Sequence, residues 1–163
     1  MRSPDLRELL REFYADKLGL TRRHEAAARL VAAYDFNNTY QYIIAREQAQ
    51  LEWLRRAVAE LGGIVTDQVP VLTTPSAGKG AEGQSAILTD DARLMHEFVQ
   101  KWRPRVEQVI DSRDKLMLGV ILGETLEHKR FFDQAIAGRH DLLGRRTSPS
   151  EASGRVLPTR WVE

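Results

Sequence analysis

The sequence predicts an all-α protein: a four-helix bundle of two helical hairpins joined by a long crossover connector. Three observations predict it. First, residues 3–61 are dominated by Ala, Leu, Arg, Glu and Gln, which are good helix formers, and after Pro4 they hold no proline and a single glycine, Gly19, while a second block capped by Thr89-Asp-Asp runs to about Gly138. Second, apolar residues recur at spacings of three and four, as in Tyr40, Ile43, Ile44, Leu51, Leu54 and Val58, and again in Met117, Val120, Ile121, Phe131 and Ala135. Third, segment 62–88 between the blocks carries Pro70, Pro75 and five glycines, a composition that reads as connector.

Element by element, Ser3 followed by Pro4 gives an N-cap with proline at the first helical position. Phe36-Asn37-Asn38 precedes Thr39-Tyr-Gln41, and Asn38 with Gln41 has capping-box spacing, so a turn is expected there. Gly62-Gly63 stops the second helix, Thr89-Asp-Asp caps the third, Pro104 interrupts it, and Asp111-Ser112-Arg-Asp114 offers the last break. Helices are thus expected over roughly 4–35, 38–61, 90–111 and 113–138. Thr21 and Pro104 would also start helices, 21–61 and 104–138, but helices of about 60 and 50 Å would overhang a domain of this size.

The 163 residues, 42% of them hydrophobic, suffice for one core and one domain, the bundle over 1–138 followed by an extended tail over 139–163. In that tail Leu142-Leu143, Leu157, Trp161 and Val162 are apolar anchors among breakers, expected to dock on their own bundle or a neighbour's. Trp53 and Trp102 are expected at the surface, where they favour a homodimer.

Charge and composition exclude several classes. The 24 Lys+Arg against 23 Asp+Glu lack the basic excess of a nucleic-acid or anionic-membrane partner. With no cysteine, disulfides, thiolate metal sites and thiol catalysis are impossible. The apolar run 116–122 is far shorter than the ~18 residues of a membrane span, and the first residues lack a signal-peptide core, so a cytoplasmic protein is expected. Gly78-Lys-Gly80-Ala-Glu-Gly83 satisfies GxGxxG, yet Pro70 and Thr-Thr-Pro-Ser stand where a strand should precede it.

The informative residues interrupt the apolar stripes. Glu47 falls between Ile43/Ile44 and Leu51, and Glu124 between Val120/Ile121 and Phe131; a carboxylate on a core stripe is costly unless paired, protonated or metal-bound. The two segments also repeat. Ile44-Ala-Arg-Glu47-Gln-Ala-Gln50 lies over Ile121-Leu-Gly-Glu124-Thr-Leu-Glu127, pairing Glu47 with Glu124, Gln50 with Glu127 and Leu54 with Phe131. An acid followed three residues later by a second donor places both on one helix face, a turn apart.

In this layout and in the repeated helix motif, residues 4–138 resemble the ferritin-like superfamily of di-iron carboxylate bundles. The resemblance implies a Glu on the first and third helices and Glu-x-x-His on the second and fourth, binding two iron or manganese ions. Carried over residue by residue, Glu47 and Gln50 would be the second-helix ligands, with Gln in place of His. Glu124 and Glu127 would be those of the fourth, with His128 displaced by one. Glu25 lies nearest the level of Glu47 on the first helix, and the third has no acid at the level of Glu124, Glu97 being one turn away.

Each candidate also has an ordinary reading: Glu47 and Glu124 as paired buried acids, His128 as a surface histidine beside Lys129-Arg130, His24 and His96 as unspecific, and Tyr34, Tyr40 and Tyr42 as packing rather than relays. Two functions are expected from this pattern. One is a ferritin-like protein that has lost some or all of its metals and acts as a binding or assembly module. The other is a di-metal oxidoreductase or iron handler.

Overall fold

A computed structural model describes residues 3–68 and 80–143. Four helices, α1 (Ser3–Ala28), α2 (Tyr34–Glu60), α3 (Gly80–Glu107) and α4 (Ser112–Ile136), make up the bundle, with no strand among the described residues. Asp111 caps α4 as its sequence suggests, Oδ1 accepting from the Asp114 amide at 2.9 Å. Thr21 and Pro104 lie inside helices, so neither long-helix alternative holds. Pro104 sits in the last turn of α3, three residues before its end at Glu107, where it costs one backbone hydrogen bond.

Two boundaries differ from the sequence expectation. The first turn lies at 29–33 rather than at Phe36-Asn37-Asn38, because Asn37 works from inside α2: its Nδ2 donates to the carbonyls of Ala28 at 2.8 Å and Val31 at 3.3 Å, closing the end of α1. The third helix begins at Gly80, not near residue 90. Ile87 and Leu88 continue the buried stripe into Ala92 and Met95, and Asp90 and Asp91 are held by tertiary partners instead of capping. Connector composition at 80–88 was outweighed by that packing.

The ion pairs fix the directions. Glu12 meets Arg105 at 2.7 Å, Asp16 meets Lys101 at 2.6 Å and Arg23 meets Asp90 at 2.7 Å, so α1 and α3 are antiparallel neighbours. Glu60 with Arg113 at 2.8 Å and Tyr40 with Phe132, ring centroids 4.9 Å apart, show the same for α2 and α4. Helices α2 and α3 therefore run parallel at opposite corners, and the connection between them has to return along the bundle. Its described part does so. Gly63 lies so close to α1 and α2 that a Cβ there would meet Arg7 and Val58 at 2.9 Å. Farther on, Asp67 accepts from Tyr14 Oη at 2.8 Å and Arg55 at 3.0 Å, and its carbonyl accepts from Arg22 at 3.0 Å.

The two hairpins are copies in their burial. On α2 and α4, buried positions Tyr40, Ile43, Glu47, Gln50, Leu54 and Ala57 correspond to buried Leu118, Ile121, Thr125, His128, Phe132 and Ala135 at a constant shift of 78. The same shift carries Leu10, Phe13, Lys17, Thr21, His24 and Ala28 of α1 onto Leu88, Asp91, Met95, Val99, Trp102 and Val106 of α3. This burial register is offset by one residue from the one that aligned Glu47 with Glu124, because Thr125 and not Glu124 is buried on α4.

Trp102 is fully buried, its ring centroid 4.8 Å from that of Phe13 and its Nε1 donating to Asp16 at 2.8 Å, so it cannot serve as a surface contact. Trp53 is partly buried under the Arg46 guanidinium. Leu142 joins the core, while Leu157, Trp161 and Val162 lie outside the described residues. Trp102→Ala is expected to destabilise the fold by about 3–5 kcal/mol and Trp53→Ala by less than half as much, read from urea midpoints.

Candidate functional site

At the bundle's centre each helix contributes one fully buried side chain, and the shift of 78 pairs them: Lys17 of α1 with Met95 of α3, Glu47 of α2 with Thr125 of α4. None of the four is more than 0% exposed. Lys17 Nζ donates to Glu47 Oε1 at 2.8 Å and to Thr125 Oγ1 at 3.3 Å. Thr125 Oγ1 in turn donates to the Ile121 carbonyl at 2.8 Å, which leaves its lone pairs for the ammonium. The α3 side offers no acid here; Lys17 Nζ lies 5.5 Å from the centre of the Phe98 ring.

One to two turns along, three polar side chains enclose the same centre. His24 Nδ1 lies 2.9 Å from Glu47 Oε2, Gln50 Nε2 donates to Glu124 Oε2, and His128 packs edge-on to Tyr42 at 5.9 Å between centroids. Because Glu47 is ionised, His24 Nδ1 must carry the proton and donate it. His24 Nε2, Gln50 Oε1 and His128 Nδ1 are buried without a hydrogen-bond partner among the described residues.

Electrostatics follow from this packing. Burial by itself pushes the Glu47 carboxyl up, but the His24 ring and the Lys17 ammonium, by charge and by hydrogen bond, outweigh it and hold the group well below the usual carboxylate range. Burial pushes His128 down to about 4, so its ring is neutral at pH 7. Glu124 is also held low: burial raises it, and its bonds to Arg46 and Gln50 more than reverse that.

A second buried network closes the end of the bundle nearest the first turn. Arg23 Nε donates to Asp91 Oδ1 at 3.0 Å and its NH2 to Asp90 at 2.7 Å, while Tyr40 Oη donates to Asp91 Oδ2. Burial, with the Asp91 charge behind it, raises the Tyr40 hydroxyl, which stays protonated. Tyr40 is thus a structural donor, while Tyr34 and Tyr42 are exposed.

The candidate ligands from the sequence separate. Glu47 and Gln50 face the centre. His128 does too, at 2% exposure, instead of lying on the surface. Glu124 is a quarter exposed at the α2–α4 edge, bonded to Arg46 at 2.6 Å and to Gln50 rather than sharing a partner with Glu47. Glu127 is exposed and paired with Arg130, and Glu25 is only partly buried on the flank of α1. The residues missed were Lys17 and Thr125, and His24, read from the sequence as unspecific, is also buried at this site. A lysine or threonine on a helical stripe carries no sequence signal of burial, and the shift of 78 that exposes them is visible only once burial is known.

The di-metal centre implied by the sequence resemblance does not fit this donor set. The Glu47 oxygens that would face an ion are taken by Lys17 and His24, the α3 position is Met95, and no group of three His, Asp or Glu among the described residues is placed to hold a metal. No family model, curated protein or solved structure matches the chain. No helix among the described residues is long and apolar enough to cross a membrane.

Two predictions follow from the charges. Removing one partner of a fully buried pair leaves the other uncompensated, so Glu47→Gln should cost about 3–5 kcal/mol, while Lys17→Met with Glu47→Leu should cost much less than the two single changes together. Equilibrium unfolding of the wild type, Lys17→Met, Glu47→Leu and the double variant reads this coupling, with Glu47→Gln measured beside them. For His128, the unfolded chain takes up a proton below about pH 6.5 that the folded chain refuses until about 4. Stability should therefore be full above pH 6.5 and fall by about 3 kcal/mol as the pH drops toward 4, and His128→Gln should flatten that part of the profile.

Proposed function

We propose that this chain is a ferritin-like bundle in which a protein ion pair stands where the family holds its metals, and that it acts as a binding or assembly module rather than an oxidase. The observation that carries the reading is the Lys17–Glu47 pair, both side chains 0% exposed and 2.8 Å apart. The duplicated hairpins and the long crossover support the family resemblance. In the register set by burial, the six ligand positions of that resemblance fall on Lys17, Glu47, Gln50, Met95, Thr125 and His128, and only Glu47 and His128 keep the ligand type. A cationic, hydroxyl and thioether set of this kind closes the interior to redox chemistry, which moves the protein's work to its surface.

The surface offers a face for assembly as a homodimer. On the outer side of α4, Leu116 is 70% and Val120 42% exposed, and between and beyond them lie Gly119 and Gly123, each with nothing within 4 Å of a built Cβ. Mid-helix glycine costs about 1 kcal/mol relative to alanine, and neither residue needs a positive φ, so a close approach from outside accounts for both.

Elemental analysis of protein expressed without added metal should find no stoichiometric iron or manganese, and prolonged chelation should leave the melting temperature unchanged; a bound ion, or dioxygen consumption with added ferrous iron, supports the oxidoreductase instead. Sedimentation should show a dimer that Leu116→Lys dissociates without loss of helix signal.

A further inference from the structure

We propose that residues 144–163 dock along the outer seam between α2 and α4 of their own bundle, with Val156-Leu157 beside Tyr42 and Phe131 and Trp161-Val162 beside Trp53 and Val120. Such docking is independent of metal content and of the Leu116 face of α4. The described chain leads to the head of this seam. Beyond Gly138, whose φ of 94° follows the end of α4, the His140 ring stacks on Phe36 with centroids 5.6 Å apart and Leu142 is buried. Residues 140–143 enclose a small cavity with Asp35, Asn38 and Thr39 of α2. Asp35 and Thr39 begin one edge of α2, which continues at helical spacings of three, four and seven through Tyr42, Arg46 and Trp53. Residues 144–163 therefore follow directly from the point where that edge starts.

The seam presents two apolar patches with an ion pair between them. At its head Tyr42, 45% exposed, meets Phe131 edge-on at 6.1 Å between centroids. At its middle Arg46 joins Glu124 at 2.6 Å. Farther along, the Arg46 guanidinium lies over Trp53 at 5.8 Å from the ring centre, and Val120, one turn before Glu124 on the facing edge of α4, is 42% exposed. The spacing of these patches matches the segment. Tyr42 and Trp53 are eleven residues apart, about 16 Å of helix, and Leu157 and Val162 are five apart, about 16 Å of extended chain. Pro158 suits an extended segment that has no strand to pair with, since it carries no N–H to leave unsatisfied. Charge agrees as well. Residues 144–163 hold four arginines against two glutamates, and Arg160, between the two apolar pairs, comes level with Glu124, whose side chain is 27% exposed. Burying leucine and tryptophan on surface that is already apolar supplies the driving force, and a tether of a dozen residues keeps them at about millimolar effective concentration.

Because the chain has no cysteine, a pair introduced by substitution reports one contact only. Ala49 lies on the same edge of α2, between Arg46 and Trp53, and Ser85 is exposed on α3. In the full-length chain carrying Leu116→Lys, so that the α4 face takes no part, Ala49→Cys with Thr159→Cys should form a disulfide on mild oxidation at least about tenfold faster than Ser85→Cys with Thr159→Cys, and at monomer mass. Adding Trp161→Asp should abolish that difference while the helix signal in circular dichroism is unchanged. Equal rates for the two pairs, or a difference that survives Trp161→Asp, overturns the docking. A cross-linked product of twice the monomer mass also overturns it, by assigning the seam to the same segment of a second copy. None of these results bears on bound metal or on the Leu116 dimer, so the proposed function stands or falls by its own experiments.

Discussion

An ammonium group inside a helical bundle costs several kcal/mol unless an anion and further acceptors meet it there. Lys17 imposes that requirement on the whole molecule. Its charge is answered by Glu47 from α2 and Thr125 from α4, so one side chain of α1 holds both its hairpin partner and the helix at the opposite corner. Glu47 reaches back to α1 again through His24. Rotating any of these helices by one residue would break the pair and leave a bare charge in the core, a penalty far larger than that of a misplaced apolar side chain. Register at the centre of the bundle is therefore set by electrostatics, and the apolar layers on either side, Phe13 with Trp102 and Tyr40 with Phe132, follow it.

Burial in the two hairpins follows the same pattern at a shift of 78, but the chemistry at matching positions differs: Lys17 and Met95, Glu47 and Thr125, Gln50 and His128, His24 and Trp102 are all buried. Away from the centre, Asp91 stands where its counterpart is Phe13, and that acid is answered by Arg23 and Tyr40. Each buried charge is matched by a partner from another helix, so polarity contributes specificity of helix pairing. His24 Nε2, Gln50 Oε1 and His128 Nδ1, buried without a hydrogen-bond partner among the described residues, remain the exception.

Much of the architecture was legible in the residues. Helix-forming composition and spacings of three and four apolar residues dictate helices wherever they persist, since only one face of each can be buried. The breakers at Gly62-Gly63 and the cap at Asp111 mark ends that local chemistry alone enforces. Glu47 stood out because a carboxylate on an apolar stripe has to be compensated. What the chain could not announce was its compensator. Lys17 lies 30 positions away on another helix, and nothing in its neighbourhood distinguishes it from a solvent-facing lysine.

Local sequence thus determined the helices, their number and the single acid that interrupts the second stripe, because these depend on properties of contiguous residues. Tertiary structure decided the rest. The third helix extends to Gly80 because Ile87 and Leu88 find a core to enter, and the first turn lies at 29–33, ahead of Phe36-Asn37-Asn38, because Asn37 reaches the carbonyls of Ala28 and Val31. The register of the repeat, and with it the identity of the central residues, follows burial rather than residue type. Burial is a property of the packed bundle, and a one-residue shift along a helix turns a side chain by about 100°, enough to carry Glu124 to the edge and bring Thr125 to the centre.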